Sequence, residues 1–363
     1  MTQHKAILID LIHPRMLKAH AFDRLAELEE LVNTYGGIVV VKTWQKRFAP
    51  HPKTYIGTGK VGELGEEAKR LGADLVIING ELKPRQTYEI SETLRKYKVQ
   101  VWDRIDLIPK IFAKHAKTAE ARLEIELASI HHMGPRIFRM GMELSRQGGG
   151  IGTSGIGETN TERMRRHLKE KERRINEKLA TYERGRALQR ASRKRQSLQT
   201  VAIVGYTNAG KTTLLNALTG RKEYAADVLF ATLDTRVGKL YFPESGRTVL
   251  VSDTIGFIKQ LPPELIKAFT STLSEAVDAD VLLIVLDAGD AHLFQHFHVV
   301  RDILLRLGIV NRPYLLVLNK MDTTTASIRS QIEQRLSDEP FVWISAQSGQ
   351  GLGGLKQKLM EIV

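Results

Sequence analysis

The chain has 363 residues, 42% hydrophobic and 26% charged, a size and balance that suit two or three soluble domains, each with its own core. It contains no cysteine, which excludes disulfides, thiolate catalysis and Cys-based zinc sites. Fifty-four Lys and Arg against 41 Asp and Glu leave +13, a balance that favours a polyanionic partner. Met1 to Ile7 carry no signal-peptide apolar region, and no apolar run approaches the ~18 residues of a membrane-spanning helix. A cytoplasmic protein without a membrane-spanning segment is therefore expected.

From 1 to 103, strand-like and helix-like stretches alternate, which implies a small parallel sheet flanked by helices. Ala6–Ile9, Ile38–Val41, Asp74–Ile78 and Val99–Trp102 read as strands. Helix patterns fall between them: Leu25, Leu28, Leu31 and Val32 closed by Gly36 and Gly37, then Val61–Leu71, then Ser91–Tyr97. Gly57-Thr-Gly-Lys-Val-Gly62 matches the dinucleotide pattern G-x-G-x-x-G. That pattern needs an acidic residue ending a second strand roughly 20 residues on. Asp74 begins its strand instead, so a glycine turn leading into a helix is the better account.

Two long helical stretches follow, 104–132 and 158–198, with a glycine-rich passage over 141–160 between them. The first carries Leu107, Ile108, Ile111, Phe112, Leu123, Leu127 and Ile130 on an interrupted apolar face. The second places Leu168, Ile175 and Tyr182 at seven-residue intervals, with Met164 and Leu179 nearby, which reads as one arm of an antiparallel, coiled-coil-like hairpin. Between Glu158 and Arg195 stand fourteen Lys and Arg against six Glu, a net +8 concentrated in one segment. Six glycines between 148 and 157 argue against regular structure there. Flanked by Arg136, Arg139 and Arg146, this passage suits close approach to a phosphate backbone. Arg146, Gly148, Gly149, Gly150, Arg165, Arg166, Arg173 and Arg174 are the candidate RNA contacts.

From Thr200 the alternation resumes, with strands at Thr200–Val204, Val237–Phe242, Thr248–Val251, Val281–Leu286, Tyr314–Leu318 and Phe341–Ser345. Gly205, Tyr206, Thr207, Asn208, Ala209, Gly210, Lys211 and Thr212 fit G-x-x-x-x-G-K-[ST], set between a strand and the helical run Thr213–Leu218. Loop N–H groups and the helix N-terminus face phosphates in that motif; Lys211 reaches the β- and γ-phosphates and the Thr212 hydroxyl ligates Mg²⁺. Thr213 joins this nucleotide-binding set. Asp253-Thr-Ile-Gly256 follows a strand, with Asp253 holding Mg²⁺ through water and the Gly256 N–H meeting the γ-phosphate. Phe230-Ala-Thr232 supplies a nucleotide contact at Phe230 and a further Mg²⁺ and γ-phosphate ligand at Thr232. Asn319-Lys-Met-Asp322 closes another strand. The Asp322 carboxylate accepts from guanine N1 and N2, donors that adenine lacks, so the discrimination is large. Asn319 braces the loops, Lys320 lies along the base, and Ser345 and Ala346 offer backbone N–H to guanine O6. The ligand expected is GTP, with Lys211, Thr232 and Gly256 acting on the transferred phosphoryl group.

These stretches together resemble the HflX family of ribosome-associated P-loop GTPases. The marks are Ser-Arg-Gln-Gly-Gly-Gly-Ile-Gly-Thr (145–153), Gly-Glu-Thr (157–159), Gly-Tyr-Thr-Asn-Ala-Gly-Lys-Thr (205–212), Phe-Ala-Thr-Leu-Asp (230–234) and Asp-Thr-Ile-Gly-Phe-Ile (253–258). Where the family usually has Gly-Pro-Gly-Glu-Thr-Gln, this chain has Ile156 and Asn160, losing a stiffening proline. It also ends with the GTPase domain, where many members carry a further C-terminal domain. The resemblance implies an N-terminal α/β domain (1–103), a helical hairpin (104–198) and a Ras-like GTPase domain (199–363). It implies binding to the large ribosomal subunit and its rRNA, with the hairpin loop approaching the peptidyl transferase centre. It also implies the splitting or rescue of stalled ribosomes under stress, and, in some members, ATP binding at the N-terminal domain. A monomer is expected.

Ras-like enzymes orient the attacking water with Gln just after Asp-x-x-Gly; here that position is Phe257, so slow intrinsic hydrolysis, raised by the ribosome, is expected. Asn208 occupies the place where related GTPases bind K⁺ beside the phosphates. An RNA-associated GTPase acting in ribosome assembly or tRNA modification is the alternative function. A metabolic NTP-binding enzyme using residues 57–62 leaves the basic hairpin unexplained. His292 and His296 have metal-ligand spacing, with His298 nearby, but lack a further ligand set.

Overall fold

The computed structural model describes residues 3–116, 118–147, 154–196, 198–220, 236–254, 256–259 and 270–363. They fall into two compact units: Met1–Lys114 with Arg122–Lys178, and His115–Ala121 with Leu179–Val363. Among the described residues no helix is long and apolar enough to cross a membrane.

In the first unit four strands, β1 (Lys5–Ile12), β2 (Ile38–Lys46), β3 (Leu75–Ile78) and β4 (Gln100–Asp103), form a parallel sheet of order β2-β1-β3-β4. The inner strands β1 and β3 are covered on both faces, which is why they read as unbroken apolar runs. Ile7, Ile9, Val76 and Ile78 pack with Val61, Leu64 and Ala68 of α2 (Thr58–Leu71) and with Ile90 and Leu94 of α3 (Pro84–Arg95). Leu25, Leu28, Leu31 and Val32 of α1 (Lys18–Tyr35) are buried, as their spacing requires. That helix stops at Gly36, whose φ of 90° lies in the left-handed region and whose N–H returns to the Val32 and Asn33 carbonyls.

Gly57 is the residue before α2, and β2 ends well upstream at Lys46, so residues 57–62 are a helix start rather than a dinucleotide turn. The Asp74 carboxylate accepts from the Lys5 N–H and pairs with His4. Helix α3 starts at Pro84, seven residues before the expected Ser91. Pro84 occupies its first position, and the Gln86 side chain accepts the Lys83 N–H.

The stretch 104–132 is not one helix but α4 (Arg104–His115) and the start of α5 (Ala119–Gln147). Reciprocal bonds between Asp103 and Asp106 cap α4, and Thr118 Oγ1 accepts the Ala121 N–H at the head of α5. The partner arm is α6 (Ser154–Arg195), 42 residues long. In the first unit Glu126 pairs with Lys171 and His131 with Glu172; in the second Glu120 pairs with Arg186. These ion pairs join α5 to α6 within each unit.

Two expectations for this hairpin fail. Ser145–Gln147 and Ser154–Asn160 are helical, although they lie within the stretch expected to be irregular. Glycine in a helix costs about 1 kcal/mol relative to Ala, and a long helix already nucleated absorbs Gly155 and Gly157 at its end. The seven-residue seam is also shorter than expected. Ile175 is buried, whereas Met164 and Tyr182 are exposed. Gly148, Gly149 and Gly150, and the side chain of Arg146, lie outside the described residues.

The second unit holds a six-stranded sheet of β5 (Thr200–Gly205), β6 (Arg236–Phe242), β7 (Arg247–Asp253), β8 (Val281–Asp287), β9 (Tyr314–Asn319) and β10 (Phe341–Trp343). Its order is β10-β9-β8-β5-β7-β6, parallel except for the β6–β7 hairpin. Helices α7 (Lys211–Thr219), α8 (Thr270–Asp278), α9 (Leu293–Arg306), α10 (Ala326–Arg335) and α11 (Leu352–Ile362) accompany it. Val201, Ile203, Leu283, Val285 and Val317 form its core with Leu214, Leu215 and Leu355. The chain continues from β5 to β7 on one side while β8 lies on the other. The carboxyl end of β5 is thus a topological switch point, where open α/β sheets bind ligands.

Candidate nucleotide-binding site

The carboxyl end of β5 carries Gly205–Thr212. A Cβ on Gly205 would strike the Val285 carbonyl oxygen of β8, and one on Gly210 would strike the Asn319 amide. Gly210 has φ 91° and Asn208 has φ 63°, both left-handed, so the loop folds back tightly ahead of α7. Thr207 N–H donates to the Phe257 carbonyl (2.9 Å) and Phe257 N–H to the Gly205 carbonyl (3.1 Å). The phosphate loop is thereby stitched to the segment that follows Asp253.

Lys211 is fully buried, and its Nζ donates to the Tyr206 carbonyl at 2.8 Å. Burial lowers its pKa to about 8, against the pull of the Asp253 charge in the other direction. A buried ammonium held this way is stabilised by an anion placed beside it. Thr207 Oγ1 is also buried and finds no hydrogen-bond partner among the described residues. Thr212 Oγ1 donates to Asp253 Oδ2 at 2.7 Å, so hydroxyl and carboxylate converge as a shared Mg²⁺ would require. A Cβ on Gly256 would lie 3.0 Å from Lys211 Nζ and 2.8 Å from Thr207 Cα, so only glycine brings this backbone so close to the lysine head. Thr213 lies in the first turn of α7. Phe230 and Thr232 lie outside the described residues.

Asn319, at the end of β9, is buried and binds in two directions. Its Nδ2 donates to the Ala209 carbonyl (2.8 Å), and its Oδ1 accepts the Ala346 N–H (2.9 Å). It joins the phosphate loop to the loop after β10. Lys320, with φ 61°, pairs with Asp287 at 2.7 Å. Asp322 is exposed, and its carboxyl is held below the usual range chiefly by the Ser345 hydroxyl. Ser345 therefore enters through its side chain, a role the motif alone did not indicate. The Ser345 N–H donates to the Gln350 carbonyl and the Ala346 N–H to Asn319, so neither stands free to meet guanine O6 as expected. Both N–H groups are committed to fixing the loop.

Further contacts of this site escaped sequence reading. Thr254 Oγ1 donates to the Ile203 carbonyl, anchoring the Asp253 segment to β5. The Tyr206 ring stacks on His296 at 3.7 Å and 8°, and its hydroxyl accepts the Lys259 N–H. His296 Nδ1 in turn meets Asp290 at 2.7 Å, so this histidine braces the phosphate loop. Such contacts join residues far apart in sequence and leave no local pattern. Phe257, where a water-orienting Gln stands in Ras-like enzymes, is buried in the core.

On α6, Arg173 pairs with Glu170 and Glu177, and Arg174 with Glu170, while Arg165 and Arg166 are exposed. The two arginines, Arg173 first, hold the Glu170 carboxyl down at about 2.

The family model described as GTP-binding GTPase N-terminal matches residues 23–113, and that described as GTP-binding GTPase Middle Region matches 115–193. A third, described as 50S ribosome-binding GTPase, matches 200–320. GTPase HflX of Escherichia coli K12 is 39% identical over 352 residues, covering 97% of this chain and 82% of that one. The chain belongs to the HflX GTPase family. GTPase HflX of Caldanaerobacter subterraneus is 46% identical over 300 residues, 83% of this chain and 69% of its own. A crystal structure of the SsGBP and GDP complex superimposes with a TM-score of 0.56 at 26% identity, over 99% of this chain and 98% of that one. Membership makes the chain a GTPase.

Proposed function

We propose that this HflX member binds GTP with Mg²⁺ at the carboxyl end of β5 and uses its hydrolysis to act on the large ribosomal subunit, splitting or rescuing stalled ribosomes. The observation that carries the nucleotide reading is the convergence of Lys211, Thr212, Asp253 and Gly256. Lys211 neutralises phosphate charge, and loop N–H groups hold the phosphate oxygens. Thr212 and Asp253, joined by Thr232, hold the metal, whose charge supplements that of Lys211 when it is bound. Asp322 reads guanine through its N1 and N2 donors, fixed by Ser345. Asn208 contributes to a K⁺ position beside the phosphates. The ribosomal part rests on family membership and on the basic helix α6, whose charge suits rRNA. The chain works as a cytoplasmic monomer of three parts: sheet domain, hairpin and GTPase domain.

Sedimentation of ribosomes through sucrose with the protein and GTP, or a non-hydrolysable analogue, tests the ribosomal part. Co-migration with the large subunit together with loss of intact ribosomes is the expected result. Association with an assembly intermediate or tRNA alone would move the function to assembly or tRNA modification, and absence from every particle would discard the ribosomal role.

A further inference from the structure

The carboxyl ends of β1 and β2 lie side by side at one end of the N-terminal sheet, and the two loops that leave them share an unusual composition. Ile12 pairs with Lys46 in register, Arg47 N–H donates to the Ile12 carbonyl, and Lys46 Nζ donates to the Pro14 carbonyl. Residues 13–20 and 46–53 together hold Arg15, Lys18, Lys46, Arg47 and Lys53 and no Asp or Glu. None of these five cations forms an ion pair among the described residues.

In their midst stands Phe48, 80% exposed; no other large apolar side chain among the described residues is more so. Its ring meets His13 edge to face, with centroids 5.3 Å apart. Such a contact covers at most one face of the ring and leaves the other open. The loop is not slack. Pro50 and Pro52 fix backbone angles on either side of His51, and His51 and Tyr55 exchange backbone hydrogen bonds at its base. Arg47 Nε donates to the Ala49 carbonyl and so turns across the ring's own backbone. A loop backbone held this way loses little entropy when the ring is covered.

We infer that this end of the N-terminal sheet is a binding surface for single-stranded RNA, with Phe48 stacking an unpaired base while Arg47, Lys46 and Lys53 meet the flanking phosphates. Five cations without an ion pair among the described residues call for a polyanion, and an open aromatic face on a braced loop calls for the flat face of a base; single-stranded nucleic acid supplies both together. The choice of RNA over DNA rests on the proposed ribosomal role.

The test is anisotropy of a fluorescent, unstructured 12-nucleotide RNA with the full chain. Phe48→Ala should weaken binding about tenfold with an unchanged salt slope, because stacking releases no counterions, and Phe48→Trp should keep it. Arg47→Ala with Lys53→Ala should instead lower the salt slope by about 1.4, two phosphate contacts on a single strand. The same Phe48→Ala change should leave binding to a 12-base-pair RNA duplex unaltered. Wild-type affinity in Phe48→Ala would overturn the proposal, as would equal losses on duplex and single strand. So would Phe48-dependent binding to phosphatidylserine vesicles with RNA binding indifferent to Phe48, which would mark a membrane contact. Phe48 is exposed, so its variants fold; thermal melts check this. Because the oligonucleotide assay contains no ribosomes, its failure leaves the sedimentation result standing, and the reverse holds too.

Discussion

Lys211 is the residue at which physical chemistry makes the sharpest demand. Without a nucleotide its pKa lies near 8, lowered by burial; a polyphosphate beside it restores the ammonium. The sign follows directly. Below pH 8 both states carry the proton and affinity is flat. Between pH 8 and the raised pKa of the complex, binding takes up a proton, so affinity falls as pH rises, approaching tenfold per unit. Calorimetry of GDP binding at pH 8.5 in buffers of different ionisation enthalpy should give roughly three-quarters of a proton taken up per nucleotide. Zero uptake would mean the lysine is already charged in the free protein. Asn208 makes a second residue-scale demand. Its left-handed backbone and exposure suit a ligand to a monovalent cation beside the phosphates. Hydrolysis should slow on the order of tenfold when NaCl replaces KCl at matched ionic strength, since a positive charge near the transferring group is lost. Equal rates in the two salts would remove K⁺ from the site.

At the scale of elements, the same charges have different value depending on their neighbours. Arg173 and Arg174 are occupied by Glu170 and Glu177 on their own helix, so they offer RNA less net charge than their number suggests. Reversing Arg166 to Glu should reduce the salt slope of ribosome binding by up to about 0.9, one duplex phosphate contact. Reversing Arg173 should reduce it less, because Glu170 and Glu177 are released from their pairs. Equal effects from the two changes would show that these ion pairs do not persist in solution. The strands were legible because buried parallel strands are continuous apolar runs, as in Leu75–Ile78 and Val281–Leu286. Helix ends were harder. Pro84 to Thr87 begin α3 with few apolar residues, and the α4–α5 break is made by Thr118 beneath an apolar pattern that runs on past it. The seam of α6 was overestimated because seven-residue spacing marks a face without saying how much of it is covered. In the candidate nucleotide site Gly205–Thr212, Asp253 and Asn319 stand at strand ends, as their sequence context indicated. Ser345 as a brace for Asp322, Thr254 and the Tyr206–His296 stack were not legible, since they depend on tertiary neighbours.

At the scale of the whole molecule, the expected slow hydrolysis turns on how Phe257 is held in the GTPase domain. Phe257 is 1% exposed, and its backbone bonds lock it to Gly205 and Thr207. A glutamine placed there would be drawn into the core rather than toward water, so Phe257→Gln should destabilise the domain, by about 3 kcal/mol on the scale of lost aromatic burial, and leave turnover no faster. Under the proposed function the ribosome supplies the group that orients the water, a reading that also gives α6 its role. That helix contributes residues to both compact units, Ser154 to Lys178 in the first and Leu179 to Arg195 in the second. Contact along it therefore engages both units. Single-turnover GTP hydrolysis should accordingly rise by at least about tenfold on adding large subunits, within the range that trans-acting partners give phosphoryl transfer. The stimulation should fall when Arg165 and Arg166 are reversed, with GDP affinity unchanged. Rates equal with and without subunits would separate hydrolysis from the ribosome and leave Phe257 as the mark of an intrinsically slow switch.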